Sequence, residues 1–157
     1  MHAYLMPALE LSPRLIARLF SQIPKEHWDV PVEQDRFTPR EVIAHLADWE
    51  PIMLGRMQSA AAHPGAAIEV FDEGQMAVEN DYRGSNPEVQ VTLFAERRAR
   101  TIAWLRALPQ EAWSRSFLHP ERGLQTIEDQ ANLFVGHDLY HGEQLSASLR
   151  GHEGGIG

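Results

Sequence analysis

Between Ser12 and Pro24 the apolar residues fall at Leu15, Ile16, Leu19, Phe20 and Ile23, the three- and four-residue spacing of one buried helical face. Ser12-Pro13 offers a capping hydroxyl followed by a proline at the first helical position, where its missing N–H costs nothing. The spacing predicts a first helix from Ser12 to about Ile23, stopped by Pro24. A second opens at Thr38-Pro39-Arg40-Glu41, a capping box in which the Thr hydroxyl accepts from the Glu41 N–H and the Glu carboxylate reaches back to the Thr38 N–H. Its face carries Val42, His45, Trp49, Ile52 and Met53, and Pro51 should bend it, having no N–H for the carbonyl of Ala47. Asn86-Pro87-Glu88 starts a third helix with Phe94, Ile102, Leu105 and Leu108 on its apolar side, closed by Pro109. Thr126-Ile127-Glu128-Asp129, a weaker capping box, starts a fourth that reaches about Arg150 before the tail GHEGGIG.

Almost no segment alternates with period two, so no sheet is expected. The stretch from about Ala61 to Ser85 is long for a bundle connection and suits a crossover with a short helical turn near Gln75 to Asn80. The expected fold is all-α, a four-helix bundle with a long crossover between its second and third helices, as one domain over residues 1–157. The halves also resemble each other: Ile23-Pro24-Lys25-Glu26-His27-Trp28 is answered by Leu108-Pro109-Gln110-Glu111-Ala112-Trp113, each followed by a loop and a Thr capping box. Two related helix pairs would set the second and fourth helices facing each other.

Composition narrows the partners. With 43% hydrophobic and 23% charged residues among 157, the chain has the makings of a core. Its net charge is −8, Lys25 is its only lysine and its arginines are dispersed among acids, so nucleic acid is not an expected partner. The first residues have no positive segment ahead of an apolar run, and no stretch approaches the roughly 18 apolar residues of a membrane span. The reading is cytoplasmic, with no membrane partner. The absence of cysteine removes disulfides, Cys-based metal sites and a cysteine nucleophile.

The candidate chemistry lies in three histidines. His137 and His141 are four apart and stack on one helical face. Eight histidines in 157 residues would give about 0.4 such pairs by chance, so the pair alone decides little. It falls, however, on the apolar stripe of Ile127, Ala131, Phe134 and Leu145, and His45 sits on the corresponding stripe of the second helix. One reading is three ordinary core imidazoles, each hydrogen-bonded separately. The other is a shared divalent cation that satisfies all three. Asp48 and Asp138 could orient the imidazoles; solvent-facing acids are the alternative. His2, His27, His63, His119 and His152 have no partner at ligand spacing.

Thr38-Pro-Arg-Glu-Val-Ile-Ala-His-Leu-Ala-Asp-Trp-Glu50, His119-Pro-Glu-Arg-Gly123 and Gly136-His-Asp-Leu-Tyr-His-Gly-Glu-Gln-Leu145 together resemble the DinB/YfiT-like superfamily of metal-binding four-helix bundles. The resemblance spans almost the whole chain. It implies His45, His137 and His141 as metal ligands, and Gln144 matches a Gln that commonly follows the pair. Imidazole suits zinc or nickel, which come before iron in this reading. Three neutral ligands leave an open position, the arrangement of a catalytic site, while His-Asp-Leu-Tyr-His lacks the Glu of a metalloprotease motif. The expected function is therefore activation of a low-molecular-weight thiol or of water against a small-molecule substrate, as an S-transferase or hydrolase. The alternative is a non-catalytic stress-response protein that binds a metal or ligand. The crossover could cover the pocket, with Tyr82 and Arg83 as substrate contacts or as parts of a solvated loop. The resemblance also suggests a homodimer.

Overall fold

The computed structural model describes residues 3–151; His2, His152 and most of the glycine-rich tail lie outside them. Among the described residues five α-helices form: α1 (Leu5–Ser21), α2 (Pro39–Ala62), the short α3 (Glu73–Glu79), α4 (Pro87–Ala107) and α5 (Ile127–Gly151). The four long ones make the bundle, and α3 lies in the crossover where a helical turn was expected. Both α1 and α2 pack against α4 and against α5. The helices joined by the shorter connections, α1 to α2 and α4 to α5, therefore stand diagonally across the bundle, and α2 faces α5.

The capping signals act where the sequence places them. Thr38 Oγ1 accepts from the Glu41 N–H at 3.3 Å. The reciprocal half differs from expectation, because the Glu41 carboxylate accepts from the Thr38 hydroxyl at 3.2 Å. The box read as weaker is complete: the Asp129 N–H donates to Thr126 Oγ1 at 3.0 Å, and the Thr126 N–H donates to Asp129 Oδ2 at 2.8 Å. Asn86 Oδ1 accepts from the Glu88 N–H at the start of α4. The repeated Ile/Leu-Pro segments adopt one conformation. Pro24 (φ −57°, ψ 146°) and Pro109 (φ −58°, ψ 145°) each lead into a 3-10 turn, Lys25–His27 and Gln110–Ser114.

The first helix begins seven residues before the expected cap. Leu5 and Leu9 are buried with Ile16 and Phe20, so the apolar stripe runs upstream through Ser12, while Leu15 is half exposed. Pro7 falls in the first turn, where no N–H is needed. Pro13 lies inside the helix and leaves the Leu9 carbonyl without its usual donor. Arg98 supplies one, donating from Nη1 at 3.2 Å. Pro51 creates the same gap in α2, and there Arg97 Nη1 donates to the Ala47 carbonyl at 2.5 Å. Two consecutive arginines of α4 thus close the two backbone gaps made by proline on α1 and α2.

A small sheet forms, contrary to expectation. Strands β1 (Ser116–His119) and β2 (Gly123–Thr126) pair antiparallel, with Ser116 opposite Thr126, and Ala67 of the crossover bridges to Leu118. Only four residues alternate, with Phe117 buried and Leu118 partly exposed, too few to register as a period. The motif His119-Pro-Glu-Arg-Gly123 is the turn between them. His119 Nδ1 accepts the N–H groups of Glu121 and Arg122 at 3.2 and 3.3 Å, and Gly123 takes a left-handed φ of +75° that side-chain-bearing residues avoid.

Candidate metal centre

A buried ionic network fixes the register of α5 against its neighbours. Phe94, Arg98, Thr101, Ile102 and Leu105 share the inner face of α4, so Arg98 is carried into the core at 1% exposure. Its guanidinium donates to Glu50 of α2 (Nε to Oε1 2.6 Å, Nη2 to Oε2 3.1 Å) and to Asp138 of α5 (Nη1 to Oδ2 2.7 Å, Nη2 to Oδ1 3.1 Å). Ser12 Oγ accepts from Nη1 at 3.0 Å and donates to Asp138. Burial raises the Glu50 carboxyl pKa against the pull of Arg98, and the two carboxylates keep the guanidinium charged although burial alone would lower its pKa. With Asp138 held this way, the next residue back and the residue one turn on, His137 and His141, are turned toward α2.

There they meet His45. Its Nε2 lies 3.0 Å from His137 Nε2, which lies 3.2 Å from His141 Nε2. All three candidate residues are therefore brought together, with one possible ligand atom from each within 4.8 Å of the others. Burial, then the neighbouring imidazoles, lowers the pKa of His45 to about 2; burial and then His141 lowers that of His137 to about 3. His141 is lowered by burial, partly offset by Gln144 and Asp138. Each ring is neutral at neutral pH. Gln144 Oε1 lies 2.6 Å from His141 Nδ1, which puts the proton on Nδ1 and leaves the Nε2 lone pair facing its neighbours.

This donor set suits a metal. Three neutral imidazoles cannot satisfy one another through converging Nε2 atoms, since one proton there serves only one neighbour. Bonds of 2.0–2.1 Å in tetrahedral array place ligand nitrogens about 3.3 Å apart, close to the separations seen. His45 and His141 are buried, whereas His137 is only partly so. Aromatic rings collar the group: Phe37, Trp49 and Tyr82 lie 5.3, 5.7 and 6.4 Å from the His45 ring, and Tyr140 lies 5.2 Å from that of His141.

Two expected orienting residues do something else. Asp138 is taken by Arg98 and Ser12, and Asp48 accepts at 2.8 Å from both Asn80 Nδ2 and the Tyr82 hydroxyl. Asp48 thereby pins the crossover over α2, with Tyr82 buried and Arg83 turned outward toward Glu41. Gln144 is the orienting residue found. His119 stays in the hairpin turn, and His27 and His63 do not join the group.

The profile of the DinB superfamily matches residues 8–145. The Bacillus subtilis (strain 168) protein named "Putative metal-dependent hydrolase YfiT" is 27% identical over 134 residues, covering 85% of this chain and 75% of that protein. A protein given the same description, OB0782 of Oceanobacillus iheyensis, is 28% identical over 133 residues, 85% of this chain and 77% of its own. The solved structure of YfiT, described as an unusual four-helix bundle topology, matches with a TM-score of 0.87 at 25% identity, over 93% of this chain and 84% of that one. A mycothiol-dependent maleylpyruvate isomerase shares the fold, with a TM-score of 0.74 at 17% identity over 90% of this chain and 59% of that one.

Proposed function

The chain belongs to the DinB superfamily, and from that premise we propose that it is a metal-dependent enzyme for a small molecule, with His45, His137 and His141 as its metal ligands. The observation that carries this reading is the convergence of three Nε2 atoms beside the partly exposed His137. The description of its relatives as metal-dependent hydrolases supports it. Zinc or nickel is the expected ion, before iron. Bound there by neutral ligands, a divalent ion keeps its full charge and lowers the pKa of a thiol or water beside it.

The rest falls to the chain. Gln144 holds His141 in the tautomer that presents a lone pair. Phe37, Trp49 and Tyr82 exclude bulk water, which strengthens every charge interaction in the site. Asp138 is locked to Arg98 and is not free to act as a general base, and the chain has no cysteine. The nucleophile therefore comes from outside, and a low-molecular-weight thiol is favoured over water. The thiol dependence of the mycothiol-dependent structural neighbour supports that order. Metal-loaded protein screened against small electrophiles with bacillithiol, mycothiol, glutathione or water alone is expected to turn over with a thiol, and His137→Ala to abolish the turnover. Turnover without thiol would make it a hydrolase. The burial of His45 and His141 favours a second reading, a binding protein without turnover, which would replace the first if a broad screen finds no activity while the bound metal still takes up small ligands.

A homodimer is the expected assembly. Leu11, Leu15 and Leu139 are more than half exposed and line a groove of about 430 Å3 between α1 and α5, an apolar face that a second copy would cover. Light scattering should give twice the chain mass of 17.8 kDa; the chain mass itself at high concentration would refute the pairing.

A further inference from the structure

Along the α2–α5 seam, moving from the three histidines toward the β-hairpin, three buried side-chain nitrogens lack a hydrogen-bond partner. Trp49 is one helical turn beyond His45, and its indole Nε1–H is buried with no hydrogen-bond partner. The Arg56 guanidinium stacks over that ring, 5.5 Å from its centroid. Arg56 is itself 6% exposed, its Nε–H has no partner, and among the described residues no carboxylate pairs with it. From α5, Gln130 adds a third unpartnered nitrogen at 2% exposure. It stands two turns before His137 on the same stripe, and because Arg115 donates from Nη1 to the Ala61 carbonyl at the end of α2 and accepts at its own carbonyl from the Ile127 N–H at the start of α5, it lies level with the later turns of α2.

An indole N–H and a guanidinium can only donate. Two of the three orphans therefore require an acceptor that the described residues do not provide, and the guanidinium requires a negative charge as well. The field points the same way. Burial and then nearby Arg122 lower the pKa of Arg56, and Arg122 and Arg56 help to lower that of His119. The turn that ties His119 Nδ1 to backbone N–H groups leaves its proton on Nε2, another donor.

We infer that this seam is a carboxylate-binding site, in which Arg56 takes the charge and the Trp49 indole and Gln130 amide complete the acceptor's hydrogen bonds. A single buried guanidinium matches the single charge of a carboxylate, whose planar oxygens fit its fork. As the anchor of a substrate or thiol cosubstrate the site rests on the metal-dependent reading above; as a binding site it does not. Its place follows from the rings: His45 to Trp49 is 5.7 Å, and the guanidinium lies on Trp49. A molecule held here by its carboxylate would extend its other end toward the three histidines.

The test uses the full-length metal-loaded protein, with acetate as probe, acetamide as its neutral counterpart and sodium chloride as the ionic-strength control. The indole N–H resonance of Trp49, assigned by Trp49→Phe, is expected to shift with acetate and not with acetamide or chloride. Arg56→Met should weaken the acetate response at least tenfold, and Arg56→Lys, which keeps the charge but loses the fork, should fall between. Without acetate Arg56→Met should melt no lower than the parent, because it removes a buried charge that has no counter-charge. An unmoved Trp49 resonance, an undiminished response in Arg56→Met, or a lower melting temperature would overturn the site. Elemental analysis of the same samples separates the two readings, since an unmoved Trp49 resonance in the parent protein with its metal retained refutes this site alone.

Discussion

Replacing Arg98 by alanine is expected to cost about 3–5 kcal/mol of folding stability, the range for breaking a buried ion pair by removing one partner. Glu50 and Asp138 would be left buried without a counter-charge. The Leu9 carbonyl would lose the donor that replaces the N–H missing at Pro13. A urea titration monitored by circular dichroism measures the loss. Should the variant not fold, the triple replacement Arg98→Met, Glu50→Gln, Asp138→Asn isolates the cause, because it removes the charges together and should recover most of the stability. A loss below about 1 kcal/mol for Arg98→Ala would mean that water reaches the network and that it does not set the register of α5.

Replacing His141 by alanine is expected to lower metal affinity by at least about 100-fold, exceeding the 10- to 100-fold typical of removing an orienting partner. At fixed metal concentration each tenfold loss removes about 1.4 kcal/mol of ligand-linked stability, so the shortfall should appear both in elemental content and in the melting temperature with zinc or nickel added. Gln144→Leu should fall in the orienting range, because it releases the Nδ1 that fixes the tautomer of His141. Asp48→Asn should leave affinity nearly unchanged, since its carboxylate serves Asn80 and Tyr82. Equal affinity in the parent and His141→Ala would refute the three-histidine site.

What the sequence announces and what it hides differ in kind. Caps are local, so Thr38, Asn86 and Thr126 mark helix starts without reference to the rest of the chain. The histidines were legible because a spacing of four and two apolar stripes left them one place to point. Ser12-Pro13 reads as a helix start because a proline there and one tolerated within a helix look alike locally; the difference lies in Arg98, 85 residues beyond Pro13. Arg98 had a signal of its own, a charge on the stripe of Phe94, Ile102 and Leu105, and so had Asp138, beside one candidate ligand. Nothing local pairs the two. The hairpin was too short to show a period, and the unpartnered donors of Trp49, Arg56 and Gln130 exist only once burial removes water from them.

The diagonal placement of consecutive helices has a bearing on how the chain acquires its structure. Although the two halves carry matching Pro-led turns, neither half holds a helix pair that can shield its own apolar faces, because α1 finds its neighbours in α4 and α5, and so does α2. A fragment ending before α4 should behave as an unfolded peptide, in contrast to a repeat whose copies once stood alone. The main contacts among the four long helices all join one half to the other, so folding should be a single all-or-none event without a half-formed intermediate. The histidine from the first half and the two from the second can meet only after the halves interlock, so on the proposed reading metal capture is a late reporter of correct assembly.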